Sequence, residues 1–124
     1  MSKTRKAPAP TERQEQQVLA QWLDMSGILW SATANGSNRD AITGRHLKLS
    51  GVKPGLPDII IFSIPDALSE LGFRGVAIEL KRRTGGRASP TQLEWIAALK
   101  ANGWRARVCH GADDAIAWLE DLGY

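Results

Sequence analysis

The chain has 124 residues, 16 Lys plus Arg against 13 Asp plus Glu, one cysteine and 43% apolar composition. At this length roughly two thirds of the unfolded surface can be buried, enough for one core of sheet and helices but not for two. Five tryptophans and an ordinary apolar fraction exclude a disordered chain, and a lone cysteine excludes an internal disulfide or a CxxC zinc site.

Residues 1–10 carry Lys3, Arg5 and Lys6 with no apolar stretch behind them, so they read as a flexible basic arm and not as a secretion signal. The domain proper is expected over 11–124. Thr11-Glu12-Arg13-Gln14 has the spacing of a capping box, and Val18, Leu19, Trp22 and Leu23 follow at helical spacing up to Gly27. Ile28 to Thr33 predicts a short, mostly buried strand before the turn pair Asn35-Gly36. Ser37 to Ser50 predicts a basic, irregular helix. Lys53-Pro54-Gly55-Leu56-Pro57 is a rigid turn, and the β-branched run Ile59 to Phe62 behind Asp58 predicts a central strand. Ser63 to Gly72 is a connection with one helical turn, where Asp66 is placed to cap it. Gly75 to Lys81 alternates as a strand, broken by Thr84-Gly85-Gly86-Arg87. Ser89-Pro90-Thr91-Gln92 is a second capping box with proline at the first helical position, and Asn102-Gly103 stops that helix. A fourth strand over Trp104 to Cys109 and an amphipathic helix over Ala112 to Leu122 complete the chain.

Strands three and four are joined through a helix, so they are expected to be parallel with a right-handed crossover. Strands two and three, with a short connection, are expected to be antiparallel. The fold class is α/β, a mixed four-stranded sheet flanked by helices on both faces. No segment approaches the roughly 20 apolar residues of a membrane span, and cysteine usage fits a reducing compartment, the cytoplasm.

The chemistry concentrates on Asp58, at the start of one strand, and on Glu79-Leu80-Lys81 in the next. Side chains alternate along a strand, so Glu79 and Lys81 share a face while Leu80 points the other way. With Asp58 at the matching end of its neighbour, two carboxylates and an ammonium converge. Two carboxylates with open positions suit Mg²⁺ or Mn²⁺. Such a site can hydrolyse a phosphodiester, with Lys81 orienting water or stabilising developing charge. Taken alone, Glu-x-Lys is more often an ion pair on a solvated strand. Asp66, after the apolar run, is the weaker candidate for the acid. Cys109 reads as a buried small residue, and it and His110 cannot both point into one site from an extended chain.

Glu12-x-x-x-Gln16, Asn35-Gly36 with Arg39, Gly51-Val52-Lys53-Pro54-Gly55-Leu56-Pro57-Asp58, Ala77-Ile78-Glu79-Leu80-Lys81 and Ser89-Pro90-Thr91-Gln92-x-x-Trp95 together resemble the VRR-NUC nucleases, in particular the small stand-alone forms of phages and bacteria. The resemblance covers about Thr11 to Leu119. It implies a PD-(D/E)XK, restriction-endonuclease-like core and a Mg²⁺- or Mn²⁺-dependent DNA endonuclease, often one preferring Holliday junctions or flaps. By position it implies Asp58 and Glu79 as metal acids, Leu80 as a further metal contact, Lys81 as the catalytic lysine and Gln92 as the assisting glutamine. Glu12 matches the first-helix acid by spacing and is the preferred candidate, with Glu15, which faces the core more directly, the alternative. Gln92 also suits the third position of a capping box for its own sake.

Arg74 to Arg107 is strongly basic, with Glu79 and Glu94 its only acids. Arg82, Arg83 and Arg87 flank the proposed metal site on the Gly-Gly loop, and Arg39, Arg45 and Lys48 form a candidate second wall, joined by Asn35 and Lys53. Contacts of this kind predict salt-sensitive DNA binding with little base preference. A binding module without turnover and a sequence-specific restriction-type enzyme are the competing readings. So small a domain has little surface for two DNA arms, which predicts a homodimer.

Overall fold

The computed structural model describes residues 8–33, 45–46 and 48–124. In chain order these form α1 (Glu12–Met25), β1 (Trp30–Ala32), β2 (Ile59–Ile61), α2 (Asp66–Glu70), β3 (Val76–Lys81), α3 (Pro90–Ala101), β4 (Arg105–His110) and α4 (Ala112–Asp121). The strands make one sheet of spatial order β1-β2-β3-β4. The first two pairings are antiparallel and β3 with β4 is parallel; the orientations of β2 with β3 and of β3 with β4 are the expected ones, the latter through a helical crossover. Helices cover both faces.

The local signals act as the sequence suggests. Both capping boxes close: Thr11 Oγ1 accepts the Gln14 N–H at 3.1 Å while Gln14 Oε1 accepts the Thr11 N–H at 2.9 Å. Ser89 and Gln92 exchange the equivalent bonds at 3.2 and 2.8 Å, with Pro90 at the first position of α3. Each box satisfies donors that a helix start leaves orphaned.

Strand alternation sorts side chains between two layers. Ile59, Ile61, Val76, Ile78 and Leu80 project to one face, where they meet Leu19 and Leu23 of α1 and Leu119 of α4. This is the thick core, and full burial of each such aliphatic contributes about 1.5–3 kcal/mol. The opposite layer is thin: Ala77 and Ala106 lie under Ile96 of α3, flanked by Ile60, Leu99 and Trp104. Small residues there let α3 sit close to the sheet, and the polar residues of β3 emerge on this same thin side.

Three details depart from expectation. The first strand is shorter than Ile28 to Thr33, and Ser31 and Ala32 are exposed instead of buried, because among the described residues β1 is the sheet margin and pairs only with β2. Asp66 does not cap the turn after β2; it is the first residue of α2, whose N-cap is Pro65 with no side-chain cap bond. Within the expected basic helix over 37–50, Arg45, His46, Lys48 and Leu49 have helical backbone and the Ser50 N–H donates to the His46 carbonyl at 3.0 Å. The remainder of that stretch, with Asn35 and Arg39, lies outside the described residues.

Candidate active site

Extending the β2–β3 register by one residue sets Asp58 opposite Glu79, on the face that also carries Lys81. The Leu80 N–H donates to Asp58 Oδ2 at 2.8 Å, which fixes that carboxylate across the strand gap. Lys81 Nζ stands 3.2 Å from Glu79 Oε1 as an ion pair. Glu79 is 1% exposed, and neither of its oxygens has a hydrogen-bond partner among the described residues. Buried carboxylate oxygens are normally hydrogen-bonded, whereas Glu79 has the Lys81 ammonium as its charge partner.

The electrostatics follow from that geometry. Burial first, then the neighbouring charge of Asp58, push the Glu79 carboxyl up to about 7, with Lys81 pulling the other way. Burial also raises Asp58, opposed chiefly by the Leu80 N–H. Two carboxylates held together against their own repulsion suit a hard divalent cation. Along β3 the Lys81 carbonyl turns to the β4 side, where it accepts the Gly111 N–H at 2.8 Å. The Leu80 N–H turns to the β2 side, and its carbonyl follows the same direction, toward Asp58. Among the described residues no three His, Cys, Asp or Glu side chains form a metal-binding group. A donor-poor pair of this kind fits Mg²⁺ or Mn²⁺, which keep several waters, better than a soft metal.

Asp58 owes its position to contacts between segments distant in sequence. Thr33, just past β1, donates through Oγ1 to the Pro57 carbonyl at 2.7 Å and through its N–H to the Asp58 carbonyl at 2.8 Å. The turn before Pro57 rests on the start of α3, where Trp95 Nε1 donates to the Pro54 carbonyl at 2.9 Å. Gly55 sits so close to α3 that a Cβ there would lie 2.6 Å from Thr91 Cγ2 and 3.1 Å from its carbonyl carbon. Sequence reading missed Thr33 and this use of Trp95, since only the tertiary pairing reveals them.

The first-helix acids separate. Glu12 is half-buried and close enough to Asp58 and Glu79 for its charge to raise both. Glu15 is 2% exposed and engaged elsewhere: Arg83 Nε and Nη2 donate to its two oxygens at 2.9 and 3.0 Å, and the Ala112 N–H approaches Oε1 at 3.4 Å. The Arg83 guanidinium holds the Glu15 carboxyl below the usual range. A depressed folded-state value stabilises the protein above about pH 4.5 and is lost as pH falls through it. Urea unfolding of wild type and Glu15→Gln is therefore expected to differ most at neutral pH and to converge in acid. A constant difference down to pH 2.5 would contradict this.

Gln92 uses Oε1 in the capping box of α3. Arg82 and Arg87 are exposed and free of ion pairs among the described residues, as are Arg45, Lys48 and Lys53. Arg83, by contrast, has its guanidinium committed to Glu15. Cys109 is buried in the thick core and its thiol is pushed up to about 12, as expected for an inert small residue.

The profile of the VRR-NUC domain matches residues 10–113. The chain belongs to the VRR-NUC domain family. A solved structure named VRR-NUC domain protein is similar over 93% of this chain and 89% of its own, at 26% sequence identity and a TM-score of 0.66. No curated protein matches significantly. The fold is thus the restriction-endonuclease-like α/β core that the motifs implied, and the family carries a nuclease-type function. No helix of this VRR-NUC domain, among the described residues, is long and apolar enough to cross a membrane.

Proposed function

We propose that this VRR-NUC domain is a Mg²⁺- or Mn²⁺-dependent endonuclease that hydrolyses DNA phosphodiesters in the cytoplasm, selecting branched structures such as Holliday junctions or flaps over sequence. The observation that carries the reading is the buried carboxylate of Glu79, ion-paired with Lys81 but without a hydrogen bond among the described residues, facing Asp58. Asp58 and Glu79, with the Leu80 carbonyl, would hold the ion. When bound, it would polarise the scissile phosphate and acidify water. Asp58, steadied through Oδ2 by the Leu80 N–H, offers Oδ1. Lys81 Nζ, next to Glu79 Oε1, orients the attacking water and balances negative charge. Glu12 adds a carboxylate from α1, and Gln92 holds the start of α3 beside the Pro54–Pro57 turn. Arg45, Lys48, Lys53, Arg82 and Arg87, with Asn35 and Arg39, are assigned to the phosphate backbone, which positions DNA without reading bases.

A panel of labelled flap, four-way junction, duplex and single-stranded DNA tests this. Cutting is expected with Mg²⁺ or Mn²⁺, strongest on the branched forms, and is expected to stop with EDTA. DNA left intact with both metals but still bound would reduce the protein to a binding module, and cleavage at one duplex sequence would make it a restriction-type enzyme. Two active sites on one junction imply a homodimer, which a monomeric mass persisting on junction DNA would refute.

A further inference from the structure

We propose that Glu15 and Arg83 are a positioning pair for the nuclease centre, setting the rate of cutting while touching neither metal nor DNA; this rests on the nuclease reading above. Both residues belong to sets that invite another role, a first-helix acid and a basic run. Their geometry gives them this one. Both oxygens of Glu15 accept bonds from Arg83, and Oε1 also faces the Ala112 N–H, so no free oxygen remains to meet a cation. Arg83 in turn presents its Nε–Nη2 edge to Glu15, the bidentate edge a phosphate would need, although the side chain is 45% exposed.

The pair lies where three elements meet. Glu15 is on α1, one turn beyond Glu12 and on the same side of the helix. Arg83 follows the end of β3, two residues past Lys81. Gly111 opens α4, and its N–H holds the Lys81 carbonyl at 2.8 Å. Gly111 has φ +94°, and a Cβ there would lie 2.8 Å from Glu15 Oε2 and 3.2 Å from Arg83 Cβ, so the carboxylate packs directly on the residue that anchors the catalytic lysine. One ion pair, its carboxylate buried and its guanidinium half-exposed, thereby ties the turn that carries Glu12 to the strand end that carries Glu79 and Lys81. Removing it frees these two supports to move independently, and placement errors of this size reduce the chemical step more than they reduce binding.

The test separates rate from binding. Single-turnover cleavage with enzyme in excess is expected to fall about 10–100-fold in Arg83→Ala, the range typical of groups that orient a metal site from behind. DNA affinity and its salt slope, measured in a Glu79→Gln background, should stay as they were. Millimolar guanidinium ion should recover part of the rate in Arg83→Ala and none in Arg82→Ala, with sodium chloride at equal strength as control. If Arg83→Ala does not fold, Arg83→Lys decides: a phosphate contact tolerates lysine, whereas a bidentate anchor does not. Glu15→Gln should keep Mn²⁺ affinity that Glu79→Gln loses. An unchanged saturating rate with a salt slope lower by about 1 would make Arg83 a phosphate contact and overturn the proposal; Mn²⁺ affinity lost in Glu15→Gln would do the same by making Glu15 a ligand. Should the wild type cut nothing, the nuclease reading fails separately, and the pair is then judged by amide exchange at Gly111, which must rise in Arg83→Ala.

Discussion

Replacing Glu79 with glutamine is expected to abolish metal-dependent cutting and, in the same variant, to make the metal-free protein more stable at alkaline pH. The loss of cutting should reach at least about a thousandfold, because a metal site withdraws several kcal/mol of transition-state stabilisation when a ligand is removed. The gain in stability comes from the sign of the Glu79 shift. Its carboxyl is raised from 4.5 to about 7 by burial and by Asp58, so the folded state holds that proton more tightly than the unfolded one. Metal-free wild type therefore loses stability as pH rises through that interval and levels off above it. Glutamine, always neutral, has no such slope. The two proteins should match near pH 4 and differ by about 3 kcal/mol at pH 8, the order expected for a shift of this size. Urea titrations in EDTA at both pH values measure it. A wild type whose advantage over the variant grows with pH would mean that Glu79 is satisfied in the metal-free fold.

The second large effect is structural in origin and catalytic in outcome. Gly55→Ala places a methyl group against Thr91 and the first turn of α3 in a residue whose φ is +84°. Left-handed backbone alone costs a non-glycine residue about 1–2 kcal/mol, and overpacking against backbone adds about 1–3 kcal/mol. A loss of about 3 kcal/mol follows, together with a fall in cleavage as the Pro57-Asp58 segment shifts. Gly51→Ala is the control. Gly51 also has positive φ, +97°, but nothing lies within 4 Å of its Cβ direction, so only the backbone term applies. Equal destabilisation of the two variants, read from thermal melts, would show that the contact with α3 carries no weight.

Much of this molecule can be read from its sequence where a short stretch contains the whole signal. The two capping boxes, the strand pair around Glu79-Leu80-Lys81 and the Pro57-Asp58 entry to β2 each follow from a handful of neighbouring residues, and the relative directions of β2, β3 and β4 follow from how they are connected. The failures lie where position depends on a partner far along the chain. The exposure of β1 depends on its being at the margin, which its own apolar residues do not announce. The separation of Glu12 from Glu15 depends on Arg83, 68 residues beyond Glu15, and on Gly111. Asp66 shows the limit of a local rule, since Pro65 takes the N-cap position that an aspartate would favour.

The two rims of the sheet are guarded by different means. On one side the terminal strand among the described residues is only three residues long, too brief a ledge for another chain to extend. On the other, β4 runs six residues but carries Arg105, Arg107 and His110, and Asp114 already accepts the His110 N–H. Charged side chains along such a border deter foreign strands from adding to it. Concentrated solutions of this protein should therefore resist fibril growth, and copies that do associate should meet through helices or loops, leaving the hydrogen-bonding rims of the sheet unextended.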